Sequence, residues 1–282
     1  MKFFSVSKIA FGVAVAAACL SLNVNKASAD ISSLNYDILV NLTGKESSLR
    51  FIGLTANNTL VNIRPGGYTK EIKVKGLDGN LQGIDYRPAN GLLYGVTDTD
   101  KIYTINITNG QATLVSNLSS SFNGGFQSGF DFNPVPDRLR IVGSNDQNYR
   151  INVDTGAVTV DGTLAYDTTD VNAGVDPNIT AAAYTNSVAG ATTTQLFGID
   201  YDRDVLVLQN PPNNGTLRTV GGLGLNFPPV VGFDIYTDSQ GNNRAYALSA
   251  SALYKIDLST GAATKIAEVR GGGFIGLAVS SW

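Results

Sequence analysis

The sequence predicts an all-β propeller on three observations: a recurring strand phrase, a matching order of turns between its copies, and a composition tilted toward hairpins. The phrase reads Gly83-Ile84-Asp85-Tyr86, Gly129-Phe130-Asp131-Phe132, Ala181-Ala182-Ala183-Tyr184 and Gly232-Phe233-Asp234-Ile235, with a fainter copy at Gly276-Leu277-Ala278-Val279. The copies recur at intervals of roughly 45 to 50 residues, a period typical of propeller blades built from short strands. The chain holds 31 glycines, and Glu46, Glu71 and Glu268 are the only glutamates among its 23 acidic residues. Aspartate and glycine serve turns, whereas glutamate serves helices, so the balance points to many hairpins.

Each element follows from local chemistry. In the second unit, Leu81 to Arg87 ends at the turn cluster Pro88-Ala89-Asn90-Gly91, and Leu92 to Val96 is stopped by Asp98-Thr99-Asp100. Ile102 to Asn106 then runs to Asn109-Gly110, a strong hairpin signal, and Ala112 to Val115 completes four strands. The third unit repeats the grammar: Gly129 to Asn133, Leu139 to Val142, Tyr149 to Val153, then Asp154-Thr155-Gly156 turning into Ala157 to Val160. The last full unit repeats that corner as Lys255-Ile256-Asp257-Leu258 followed by Ser259-Thr260-Gly261. The fourth is looser, with Leu196 to Ile199 and Val205 to Leu208 around Asp202-Arg203-Asp204.

The ends complete each other. Leu49 to Leu54, Leu60 to Ile63 and Glu71 to Val74 read as the second to fourth strands of a unit that lacks its first. Phe274 to Val279 reads as a first strand with nothing after it. Pairing the two closes the ring and removes the edges an open array would leave. The expected fold is therefore five four-stranded blades, closed by the C-terminal strand against the N-terminal strands. A sixth blade would require Tyr36 to Val40 and other unassigned segments to supply strands.

Three longer segments carry a family resemblance: Gly129-Phe130-Asp131-Phe132-Asn133-Pro134, the run from Gly174 to Asn186, and Gln209-Asn210-Pro211-Pro212-Asn213-Asn214-Gly215-Thr216-Leu217. In these the chain resembles the bacterial family called domain of unknown function 4394, over nearly all of residues 30–282. The resemblance implies an extracytoplasmic, propeller-like protein and brings no activity or catalytic residue with it.

The first residues read as a leader. Lys2 and Lys8 give a basic start, Ile9 to Leu22 is apolar, and Ala27-Ser28-Ala29 fits a small-x-small cleavage site. Residues 1–29 are thus expected to be a signal peptide cleaved after Ala29, leaving residues 30–282 as a single periplasmic or secreted domain. The rival is a lipoprotein acylated at Cys19, but Ala16-Ala17-Ala18 lacks the large aliphatic residue such a site prefers. No transmembrane anchor is expected, since the apolar run falls short of the roughly 20 residues a span needs.

Composition also narrows the chemistry. The chain has no histidine, and its one cysteine falls within the leader. Histidine-based triads, thiol nucleophiles and the usual zinc and copper ligand sets are excluded. Removing a leader with three lysines and no acid takes the formal charge from −3 to about −6, which argues against nucleic acid as a partner.

Two sets of residues are candidates for a site. Asp85, Asp131 and Asp234 stand on the expected innermost strands, where a ring of carboxylates could bind a cation or polar ligand. Their recurrence favours structural staples, each tying its strand to a neighbouring backbone amide. In the copy where Ala183 replaces the aspartate, an irregular acidic loop precedes the strand. Asp167, Asp170, Asn172, Asp176 and Asn178 could supply hard-cation oxygens, calcium being the ion of choice, although the spacing is not that of an EF-hand. Against this stands a solvated connection whose Asp and Asn residues cap turns.

Three functions are compatible. The leading one is a non-catalytic, monomeric binding propeller for a small molecule, glycan or protein outside the cytoplasm. The second is a calcium-assisted hydrolase of the lactonase-like propeller kind, and the third a structural envelope protein.

Overall fold

The computed structural model describes residues 44–64, 69–270 and 272–281. The leader, Cys19 and Tyr36 to Val40 lie outside the described residues. A short 3-10 turn at Gly44–Ser48 precedes three strands, β1 (Leu49–Thr55), β2 (Thr59–Ile63) and β3 (Thr69–Lys73). The second blade is β4 (Leu81–Tyr86), β5 (Leu93–Thr97), β6 (Lys101–Ile105) and β7 (Ala112–Asn117). The third is β8 (Ser128–Asn133), β9 (Arg138–Gly143), β10 (Asn148–Asn152) and β11 (Ala157–Val160). After a two-residue strand, β12 (Ala165–Tyr166), the fourth blade runs β13 (Ile179–Tyr184), β14 (Leu196–Asp200), β15 (Val205–Gln209) and β16 (Thr216–Gly222). The fifth is β17 (Val231–Thr237), β18 (Asn243–Ser249), β19 (Ala252–Ile256) and β20 (Ala263–Glu268), and β21 (Phe274–Ser281) ends the fold.

The protein is a five-bladed propeller. β21 pairs antiparallel with β1, Phe51 opposite Val279, so the first blade has the order β21-β1-β2-β3 and the ring closes as the sequence predicts. The other blades are consecutive meanders. The fourth carries one addition: β12 pairs parallel with the outer strand β16, Ala165 opposite Thr216, and makes that sheet five-stranded. Gly221 and Gly222 end β16 in register with Leu206 and Val205.

Burial falls from the axis outward. β13 is buried at every position, whereas β7 is half exposed and β11 mostly exposed. Five hydrophobic clusters fill the five spaces between neighbouring blades. One joins Phe51 and Val61 of the first blade to Tyr246 and Leu248 of the fifth, and the rings of Phe51 and Tyr246 meet edge to face at 5.0 Å. Each fully buried Phe or Leu stabilises the fold by about 1.5–3 kcal/mol relative to exposure, so the interfaces, not the hairpins, hold the ring together.

Two glycines show how tightly the blades approach. Gly156, at φ +73°, turns β10 into β11, and a Cβ there would lie 1.8 Å from the Asn117 carbonyl oxygen at the end of β7. Near the axis, a Cβ on Gly129 would lie 2.6 Å from the Ala182 nitrogen. The innermost strands therefore meet backbone to backbone, and the channel pinches there to a cavity of about 10 Å³, about the least that holds one water.

Candidate functional site

On each innermost strand the third residue of the repeated phrase lies two positions beyond the pinch, with its side chain turned toward the following blade. Three of these residues are aspartates, and each bridges to the next blade through a backbone amide. Asp85 accepts from Phe132 at 2.9 Å, Asp131 from Tyr184 at 3.2 Å and Asp234 from Val279 at 2.5 Å. The staple expected from the sequence is thus the observed geometry.

Blades four and one carry Ala183 and Ala278 at this position, and the gaps have a consequence. Five amides point at the ring: Tyr86, Phe132, Tyr184, Ile235 and Val279. Where the preceding blade offers no carboxylate, the aspartate takes its own neighbour's amide, Asp85 from Tyr86 at 2.6 Å and Asp234 from Ile235. Five donors thus meet the six oxygens of three carboxylates. The oxygen left over is Oδ1 of Asp131, which is buried and receives no hydrogen bond.

The three carboxylates also converge. One oxygen from each of Asp85, Asp131 and Asp234 lies within 4.8 Å of the others, and all three side chains are buried. Burial pushes every one of their pKa values upward. Repulsion from Asp234 adds to this at Asp85, and repulsion from Asp85 and then Asp234 adds to it at Asp131. Asp234 is raised to about 7, burial outweighing the pull of the Val279 and Ile235 amides. Asp85 and Asp131 are close enough to share a hydrogen bond once one of them carries a proton. Three buried carboxylates this close cannot all stay ionised without a compensating proton or cation.

The triad is not sealed. Asp85 and Asp234 also line a cavity of about 420 Å³, together with Tyr86, Tyr236, Thr237 and Ser280. This cavity opens at the C-terminal ends of the innermost strands, where Ser187 and Val188 from the β13–β14 connection form part of its rim. Arg87, also at this mouth, is held by Asp137 at 2.5 Å and Asp154 at 2.7 Å, tying the second blade to the third. A smaller cavity of about 340 Å³, lined in part by Gln82, Gln127 and Ile275, opens at the opposite ends of the same strands.

The acidic loop is divided among several partners. Asp167 accepts from the Thr169 amide at 2.9 Å and faces Arg218 at 3.1 Å. Asp170 accepts from the Thr219 amide at 2.7 Å, and Asn172 donates to the Thr219 hydroxyl at 2.9 Å, so these three residues fasten the loop to β16. Asn178 instead donates to Asp202 at 2.9 Å. Asp176 stands beside Asp146, whose pKa rises to about 6 through burial first and then the nearby Asp176 charge. Among the described residues, the acidic groups placed to share one ion are those of the triad.

Sequence comparison then decides the family. A family model described as domain of unknown function (DUF4394) matches residues 26–278. The chain belongs to the DUF4394 family. The match spans all three triad aspartates and the acidic loop. No curated protein matches this DUF4394 chain. Similar solved structures include a structural genomics protein of unknown function from Bacteroides thetaiotaomicron, at 16% identity and a TM-score of 0.49, with 83% of this chain and 64% of that one covered. Another is an auxiliary nutrient binding protein from Bacteroides ovatus, at 13% identity and 0.43, covering 70% of this chain and 55% of that one. A third is a catalytically inactive virginiamycin B lyase from Staphylococcus aureus with quinupristin, at 11% and 0.42, covering 83% and 75%. The chain thus spans under two thirds of the first two of these proteins.

Proposed function

We propose that the protein is an extracytoplasmic propeller that binds a polar small molecule at the wide mouth of its channel without transforming it. The observation that supports this reading is the mouth cavity itself. Its volume of about 420 Å³ is within the usual range for small-molecule pockets. Carboxylates form its floor, and tyrosine, threonine and serine groups together with Arg50 and Arg87 form its walls. The pinch beneath makes it a blind cup, so a ligand would enter and leave by one opening. A chain without histidine has fewer means of proton transfer near neutral pH, which favours binding over catalysis. Export rests on the basic start, the apolar run and Ala27-Ser28-Ala29. No described helix is long and apolar enough to cross a membrane.

The test is thermal melting against a panel of monosaccharides, disaccharides, amino acids and dipeptides, repeated with Val188→Trp. Val188 is 42% exposed at the rim, so the larger side chain narrows the mouth without disturbing the core. A compound that raises the melting temperature of the wild type, and does so less with Val188→Trp, supports the reading. A stabilising compound indifferent to that change would move the site elsewhere. A second reading, cation-assisted hydrolysis, draws on the same carboxylate floor, and turnover of an ester or lactone panel would replace binding with catalysis.

A further inference from the structure

We propose that Asp85, Asp131 and Asp234 form a divalent-cation site of the calcium class at the floor of the mouth cavity. The inference goes beyond the small-molecule reading and does not rest on it. Two independent observations carry it, the convergence of the carboxylates and the oxygen that their amide partners leave over.

The first is geometric. Calcium takes oxygen ligands at about 2.3–2.6 Å, so oxygens sharing one ion lie at most about 5 Å apart. One oxygen from each aspartate meets that limit, all three being within 4.8 Å of one another. The ligands are hard carboxylate oxygens alone, the set that calcium prefers and that softer metals do not. Asp85 and Asp234 also line the open cavity, so water can complete the coordination from the mouth.

The second is the count of donors. Inner-strand amides satisfy both oxygens of Asp85 and one oxygen of Asp131, and Asp234 is held by the amides of Val279 and Ile235. Oδ1 of Asp131 is buried and accepts from no amide, a state that costs free energy unless a shared proton or a cation fills it. A cation fills it and at the same time cancels the repulsion among the three. The amides then act as outer partners that fix each carboxylate's orientation. Blades four and one, with alanine at the equivalent position, leave the ion's remaining coordination to solvent.

Equilibrium dialysis of the folded protein against calcium, with bound metal read by atomic emission, tests the site. The expected result is about one calcium per chain and a melting temperature that rises with calcium and falls back with chelator. Asp131→Asn should weaken binding by about tenfold or more, because it removes one of three charged ligands. The paired changes Asp167→Asn and Asp170→Asn should leave binding intact. Should Asp131→Asn not fold, the calcium stoichiometry and calcium-dependent melting of the wild type beside the loop variants carry the test. Failure of the wild type to bind calcium overturns the proposal. So does binding that survives Asp131→Asn and disappears with the loop variants.

Discussion

Arg140, on the second strand of the third blade, donates to the hydroxyl of Tyr184 on the inner strand of the fourth at 3.1 Å, and both residues are fully buried. The same guanidinium reaches Asn148 at 2.7 Å, Asp161 at 2.6 Å and Asn213 at 2.7 Å. Removing it leaves the buried acceptors on Tyr184 and Asn148, and that on Asn213, without their donor, while Arg150 still holds Asp161. Arg140→Ala should lower stability by about 2–4 kcal/mol in urea denaturation. Arg140→Lys should recover only part of the loss, since a point charge cannot replace a planar fork. A change below about 1 kcal/mol, the level of an exposed pair, would show that the network does not hold these blades together.

Gly129→Ala and Gly272→Ala should separate close packing from composition. At position 129 the new methyl meets the backbone of Ala182, which cannot move without parting two innermost strands. At position 272 it meets nothing within 4 Å. The first should cost about 1–3 kcal/mol, the usual range for overpacking, and the second should be within about 0.5 kcal/mol of wild type. Equal melting temperatures for the two variants would count against the observed approach at the axis.

The triad should make stability depend on pH in a direction opposite to that of most acidic proteins. A raised carboxyl pKa means the folded state still holds a proton that the unfolded chain has released. Stability from such a group is complete below the ordinary aspartate value of 3.8 and is lost as pH climbs to the folded value, about 7 for Asp234. In metal-free buffer the protein should lose roughly 2–4 kcal/mol between pH 4 and pH 7. Asp131→Asn should flatten that slope. Asp238 works the other way, held down to about 2 by hydrogen bonds from Asn242, and its effect is confined to pH below 4. A metal-free stability profile that rises steadily from pH 4 to 7 would contradict the triad's electrostatics.

Asp170→Ala should loosen the acidic loop from β16. It removes acceptors for the Thr219 amide and hydroxyl and for the Asn172 amide. Hydrogen bonds to a charged group are worth about 1.5–3 kcal/mol each at most, and this site is partly exposed, so a loss of about 1–2 kcal/mol is expected. Hydrogen exchange should locate the change at residues 165–175 and at β16. Protection lost evenly around the ring would instead assign Asp170 a global role.

The architecture is legible because propeller grammar is local. Asn109-Gly110 and Asp154-Thr155-Gly156 each fix a hairpin within a few residues, and five such units leave the unpaired ends of β1 and β21 to meet. The inner-strand position of Asp85, Asp131 and Asp234 follows from the same periodicity, as does their bond to the next blade. Their convergence does not, because distance across an axis depends on how far Gly129 and its counterparts let the strands approach. The surplus oxygen on Asp131 emerges only when the alanines at 183 and 278 are counted against five amides. β12 is equally hidden: two residues pairing with Thr216 and Leu217 leave no periodic trace. The acidic loop is read less easily, since its Asp and Asn spacing suggests shared ligands while in the fold Asn178 bonds Asp202 and Asp176 stands beside Asp146. Arg140 did leave a signal, a lone cation inside the apolar run from Leu139 to Val142.

The pairing of Phe51 with Val279 has a kinetic meaning as well as a structural one. Two residues separated by most of the chain must find each other before the first blade is whole, and contacts of such long range are slow to form. The same seam is where unravelling would have to begin. A protein latched this way should assemble late and let go reluctantly.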